Sequence, residues 1–167
     1  MPLIKNQAFT DNHFVTVADE EALPDGPVLV SLDRLKENFE TLKGRNTQFG
    51  VLIRADNQGK TQLGEDVRDL APYLAALTVV ALEFPTFRNG RGYSSARILR
   101  DEMGYQGEIR AVGDVAYDQW AYMIRCGIDA FEVTDEVTLE QFGQAVAELS
   151  DIYQPASDQR HGIPWRR

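Results

Sequence analysis

From Val28 onward, short apolar runs alternate with amphipathic stretches at a regular spacing, and that alternation leaves the chain few architectures. Val28 to Leu32, Phe49 to Ile53, Thr78 to Phe84, Glu108 to Val112 and Asp129 to Val133 have the length and apolar content of buried strands. A helical pattern follows each. Residues 33–43 carry a stripe of Leu35, Phe39 and Leu42 behind a capping Asp33, and residues 64–77 turn Val67, Leu70, Ala71 and Leu74 inward. Residues 94–102, 117–126 and 138–149 complete the set, with Thr138 and Gln141 at the spacing of a capping box.

Five strand-helix units in series imply right-handed crossovers and a mostly parallel sheet covered by helices, an α/β fold. The sheet is expected to be open or a partial barrel. Closing a full barrel takes eight such units in about 250 residues, and this chain has 167. Ahead of the units, residues 3–17 alternate loosely around Thr10-Asp11-Asn12, which predicts a small hairpin or edge strand. Residues 20–27, with Pro24, Asp25-Gly26 and Pro27, read as a linker. Residues 1–153 are therefore expected to form one α/β domain, with hairpin and linker over 1–27 and the βα core over 28–153. Residues 154–167 lose periodicity and form a tail carrying three arginines against one aspartate, either strapped down by Trp165 or offered to a partner.

Twenty-six acidic against seventeen basic residues give a formal charge of -9. That balance argues against a broad nucleic-acid surface or an anionic membrane as partner. No run nears the roughly eighteen apolar residues of a spanning helix, and the N-terminus lacks signal-peptide features, so a cytoplasmic location is expected. Cys126 is the single cysteine, which rules out an intramolecular disulfide, and with only His13 and His161 besides no transition-metal site is expected. Cys126 closes an apolar helical pattern before Gly127 and reads as a packing residue.

In parallel α/β sheets, ligands bind outside the carboxyl ends of the strands. The richest such segment is Asn89-Gly90-Arg91-Gly92-Tyr93-Ser94-Ser95, a glycine-rich loop between a strand and a helix. Arg91 supplies a bidentate donor for a carboxylate, sulfate or phosphate, with Asn89, Gly90, Gly92, Ser94 and Ser95 around it. The structural alternative is that Ser94 caps its helix, the glycines serve a turn, and Arg91 pairs with Asp114 or Glu132. The spacing is not the dinucleotide fingerprint, since a third glycine is missing. Asp114, just after the fourth strand, is the candidate general acid-base, or else a cap or ion-pair partner. Arg110, within an apolar strand, must either reach the crevice as a further anion ligand or pair with an acid.

Three blocks carry a resemblance to a known family: Ala81 to Arg97, Gly107 to Val115, and Arg125 to Glu132. With Pro27 to Leu32 and Tyr153-Gln154-Pro155 they closely resemble a bacterial family of unknown function. Its members are commonly described as candidate oxidoreductases and tend to be encoded beside sulfite or nitrite reductase and phosphoadenylyl-sulfate reductase. The family usually has aspartate where this chain has Asn89, which keeps the turn and loses the charge.

The resemblance implies a role in assimilatory sulfur metabolism. One expectation is an accessory protein of sulfite reduction that docks to a reductase or binds a small anionic metabolite beside Arg91. The other is an oxidoreductase or other enzyme acting on a sulfur- or phosphate-bearing substrate, with Arg91 as anchor and Asp114 as acid-base. The sequence names no cofactor, leaves flavin and nicotinamide open, and allows a homo-oligomer.

Overall fold

A computed structural model describes residues 1–55, 64–86, 88–148 and 156–157. Among the described residues eight strands form a single sheet: β1 (Leu3–Lys5), β2 (Ala8–Thr10), β3 (Val15–Thr16), β4 (Val28–Ser31), β5 (Phe49–Ile53), β6 (Val79–Phe84), β7 (Glu108–Gly113) and β8 (Ala130–Glu132). The described residues also form four α-helices: α1 (Leu32–Lys43), α2 (Arg91–Arg97), α3 (Trp120–Arg125) and α4 (Leu139–Ala147). The spatial order is β2-β1-β8-β7-β6-β5-β4-β3, so the strands of the βα units lie side by side in chain order. Pairing is parallel from β3 to β8, while β1 runs antiparallel to both β8 and β2. The sheet is mostly parallel, as expected, but three additional N-terminal strands extend it on both edges.

Those strands also explain its shape. Laid flat at about 4.8 Å per strand, β2 and β3 would stand roughly 34 Å apart. The chain from Thr10 to Val15 reaches at most about 18 Å. The sheet must curl to bring its edges within that reach, and the result is a half-barrel. Phe14, on the connection, packs on the inner face against Leu29, Val79 and Ala81. The opposite face presents Ile4, Val30, Val51, Leu82, Ile109 and Phe131 to the helices and forms the main core. Alternate residues along each strand serve the two faces, which is the period-2 rule at work.

Several local details differ from the sequence reading. The hairpin turns at Asn6 and Gln7, both at positive φ (51° and 60°), and not at Thr10 to Asn12. This is the backbone of a two-residue type I′ loop, which asparagine tolerates. Ser31, and not Asp33, caps α1, its Oγ accepting from the Arg34 N–H at 3.0 Å. Residues 64–77 hold two short 3-10 turns, Val67–Leu70 and Leu74–Ala76, in place of a helix. Pro72 has no N–H to carry the helical ladder on and its ring crowds the preceding turn, so the run breaks there although Ala71 itself is helical, φ -48° and ψ -42°. α2 begins at Arg91, three residues before the expected start, and runs into a π-helical turn at Ile98–Glu102. The box at Thr138 and Gln141 forms as expected. The linker before β4 is held by buried Arg34, which donates to the carbonyls of Ala18 and Glu21. Of the tail, only residues 156–157 are described; the rest, including Trp165, lies outside the described residues.

Candidate functional site

β5 and β6 end beside each other, with Ile53 paired to Leu82. Past their carboxyl ends, Arg54, Ala55 and Gly64 to Asp66 form one wall of a cleft, and the start of α2 forms the other. The cleft has a volume of about 450 Å³ and is lined by Arg54, Glu65, Asp66, Arg68, Glu83, Arg91, Gly92, Ser94 and Ser95 around an apolar floor of Ile53 and Leu82. That size suits a small metabolite, for which sites of about 300–1,000 Å³ are usual.

The position of α2 is set by Gly92. A Cβ there would stand 2.4 Å from Cζ of Phe84, the last residue of β6. Only glycine lets the helix start lie against that buried ring. Tyr93 then packs edge-on to Phe84 with centroids 5.3 Å apart and meets Tyr122 at 5.0 Å. Asn89 makes an Asx turn, its Oδ1 accepting from the Arg91 N–H at 3.3 Å. These contacts hold Arg91, Ser94 and Ser95 at the strand ends.

The electrostatics are mixed. Nη1 of Arg91 donates to the Ala55 carbonyl at 2.8 Å, tying helix start to strand end. Glu65 and Arg54 clasp each other through the backbone: Oε2 of Glu65 accepts from the Arg54 N–H at 2.7 Å, and the Glu65 N–H donates to the Arg54 carbonyl at 3.0 Å. Burial pushes the Glu65 carboxyl above its ordinary value, against the pull of the Arg54 N–H and charge, while Asp33 and Glu83 push it further up. Asp66 caps the first 3-10 turn through the Arg68 N–H, and the Arg68 guanidinium lies 2.8 Å from Glu102 at the exposed rim.

Of the residues singled out from the sequence, Arg91, Gly92, Ser94 and Ser95 line this cleft, whereas Asn89 and Gly90 form the turn leading to it. Because α2 starts at Arg91, Ser94 sits inside the helix and does not cap it. Asp114 is exposed beyond β7, its N–H donating to the Phe84 carbonyl at 2.7 Å, and is not among the cleft residues. Arg110 lies on the inner face of the half-barrel, 1% exposed, and does not reach the cleft. Its guanidinium contacts Glu108 at 2.6 Å, Glu132 at 3.3 Å and Oδ1 of Asn12 at 2.8 Å, with Phe14 stacked over it. This is the pairing alternative for an arginine in a strand. Asp56, Asn57 and Phe87 lie outside the described residues.

Glu65 falls inside the helical pattern that residues 64–77 present, which hides its place in the loop after the second strand. The signal that could have found it is Pro72, which argues against a long helix there and returns Glu65 to the loop after the second strand. Cys126 is buried at 3% exposure and its thiol is pushed up by burial, as a packing role requires.

Among the described residues, no group of three or more His, Cys, Asp or Glu is placed to hold a metal ion, and no helix is long and apolar enough to cross a membrane. Comparison with curated proteins and with solved structures gave no match. A family model does match residues 60–163, which take in the Glu65 wall, β6, the whole of α2 and β7 and β8, and on that match the chain belongs to the bacterial family of unknown function DUF934.

Proposed function

We propose that this protein is an accessory factor of assimilatory sulfite reduction that binds a small anionic sulfur metabolite in the cleft at the carboxyl ends of β5 and β6. The observation that carries the reading is the convergence, at the sheet edge where α/β ligands bind, of the Arg91 guanidinium with Ser94 and Ser95 in one cleft of suitable size. The sulfur assignment rests on the family resemblance of Ala81 to Arg97, Gly107 to Val115 and Arg125 to Glu132. In this reading the protein is cytoplasmic, and its charge of -9 favours docking to a reductase with a basic face.

One observation favours an enzymatic variant of the same reading. The cleft holds a half-buried carboxyl with a raised pKa, Glu65, and that is the group suited to moving a proton for a substrate anchored on Arg91. In this variant Glu65, and not the exposed Asp114, has the acid-base role.

The test is thermal unfolding of wild type and Arg91→Ala with sulfite, sulfate and adenylyl sulfate. A ligand at 100 times its Kd stabilises by about 2.7 kcal/mol, roughly 5–11 °C for a domain of this size. A shift in wild type that Arg91→Ala abolishes is expected. Equal shifts in both proteins, or none in either, would refute the reading.

A further inference from the structure

α3 and α4 follow the neighbouring parallel strands β7 and β8, so both helices start at the carboxyl end of the sheet and pack on each other. Each buries a large ring near its start, Trp120 in α3 and Phe142 in α4, and the ring centroids are 5.0 Å apart. Three residues before each ring stands an exposed apolar side chain. Tyr117 opens the 3-10 turn Tyr117–Gln119 that leads into α3, and Leu139 is the first residue of α4. A step of three residues along a helix stays on one face, which sets Tyr117 and Leu139 over the paired rings. The Tyr117 and Trp120 rings are 5.4 Å apart, and the 3-10 turn contacts α4. Tyr117 and Leu139 are 39% and 40% exposed, and the half-buried Val115 and Val137 precede each by two residues.

The charge around these two side chains has one sign. Residues 111–148 hold eight acids and one base, so this stretch carries -7 of the chain's -9. Asp114, Asp118, Asp135, Glu136 and Glu140 are exposed in the two loops and first helical turns that carry Tyr117 and Leu139. Arg125, the one base, closes the far end of α3. Among the described residues Asp118, Asp135, Glu136 and Glu140 make no ion pair. Exposed apolar side chains bordered by charge have the anatomy of a docking face, in which the centre supplies burial and the rim steers the encounter. We infer that this face docks a protein that presents lysine and arginine side chains around an apolar seat for Tyr117 and Leu139. Nucleic acid and anionic membrane are repelled by the same charge. A second copy would set acid against acid across the axis of a self-complementary contact. A dissolved cation would cover no apolar surface. The inference rests on the docking half of the proposed reading and assigns it a surface apart from the cleft.

The probe is purified sulfite reductase, the partner class of the proposed reading, titrated against the full chain by biolayer interferometry at low and high salt. Wild type is expected to bind, and more weakly at high salt. Tyr117→Ala should weaken binding roughly 10- to 100-fold and keep the salt dependence. The triple variant Asp118→Asn, Asp135→Asn, Glu136→Gln should weaken binding at low salt and flatten the salt dependence. Glu37→Gln with Glu40→Gln, exposed acids on α1, should change neither. Melts of each variant confirm that it is folded. If the reductase binds wild type, Tyr117→Ala and the triple variant alike, it docks elsewhere, and the surface assignment falls while the docking reading stands. If it fails to bind wild type even at tens of micromolar, both fall, and the cleft is judged by its own ligand response. A dimer of the chain alone in sedimentation, lost in Tyr117→Ala, would give the face to a second copy and overturn the inference.

Discussion

Arg110→Met is the sharpest test of how the half-barrel is held together. The arginine side chain is 1% exposed and its two carboxylate partners, Glu108 and Glu132, are 8% and 18% exposed. Methionine keeps most of the stem and its packing on Phe14 but takes the guanidinium from between two carboxylates, leaving Glu108 with the Lys5 ammonium at 2.8 Å and Glu132 with only the Asn12 amide at 3.0 Å. Removing one partner of a buried ionic group costs about 3–5 kcal/mol. At about 2.1 cal/mol/K per residue the chain has an unfolding entropy of roughly 350 cal/mol/K, which converts that cost to a fall in Tm of about 9–14 °C. Calorimetric or circular-dichroism melts measure it directly. The triple variant Arg110→Met, Glu108→Gln, Glu132→Gln should recover most of the loss, because the carboxylate charges that the guanidinium offset go with it, while Lys5, the other partner of Glu108, is 38% exposed and reaches water. A loss under about 1 kcal/mol in the single variant would be the value of an exposed pair. That result, or no recovery in the triple, would refute the claim that the network is a buried strut joining β7, β8 and the β2–β3 connection.

Two further predictions concern the cleft. Gly92→Ala drives a methyl into the Phe84 ring and should cost about 1–3 kcal/mol, with loss of any ligand response, since Arg91, Ser94 and Ser95 move with the helix start; an unchanged melt would contradict the packing of α2 on β6. The Glu65 carboxyl is raised above its ordinary value, so the folded chain holds that proton more tightly than the unfolded one. Its contribution to stability is present below the ordinary carboxylate range and is lost as pH rises through the raised value. Glu65→Gln should therefore melt higher than wild type at pH 7 and at the same temperature at pH 4; a difference independent of pH would contradict the burial of this group.

The parts of this fold that were legible from sequence are those governed by local pattern. Val28–Ser31, Phe49–Ile53, Val79–Phe84 and Glu108–Gly113 each show an apolar run bounded by polar or glycine residues, and Thr138 with Gln141 declares a helix start. What escaped depends on contacts distant in sequence. β3 has two residues and no pattern of its own; it exists because Val15 and Val17 donate to the carbonyls of Pro27 and Leu29. The curl of the sheet follows from a short connection between its two edges, which no periodicity reports. Arg110 leaves two readings open from sequence, crevice ligand or paired strand residue; Glu108, two positions away, is a local partner, but Asn12 and Glu132, which complete the pairing, lie 98 and 22 positions away. The glycine-rich segment at Asn89 to Ser95 was legible because its turn chemistry is local, whereas Glu65 was concealed by a helical period that Pro72 interrupts.

The central claim is that the ligand site lies at the carboxyl ends of β5 and β6. The most direct measurement is a two-dimensional amide NMR titration of the labelled protein with sulfite and adenylyl sulfate, in wild type and Arg91→Ala. The account predicts saturable shifts concentrated at Arg54, Ala55, Gly64, Glu65 and Arg91 to Ser95, absent from the variant. Shifts confined to the opposite end of the sheet, around Lys5, His13 and Gln106 to Glu108, or no shifts with either compound, would contradict it.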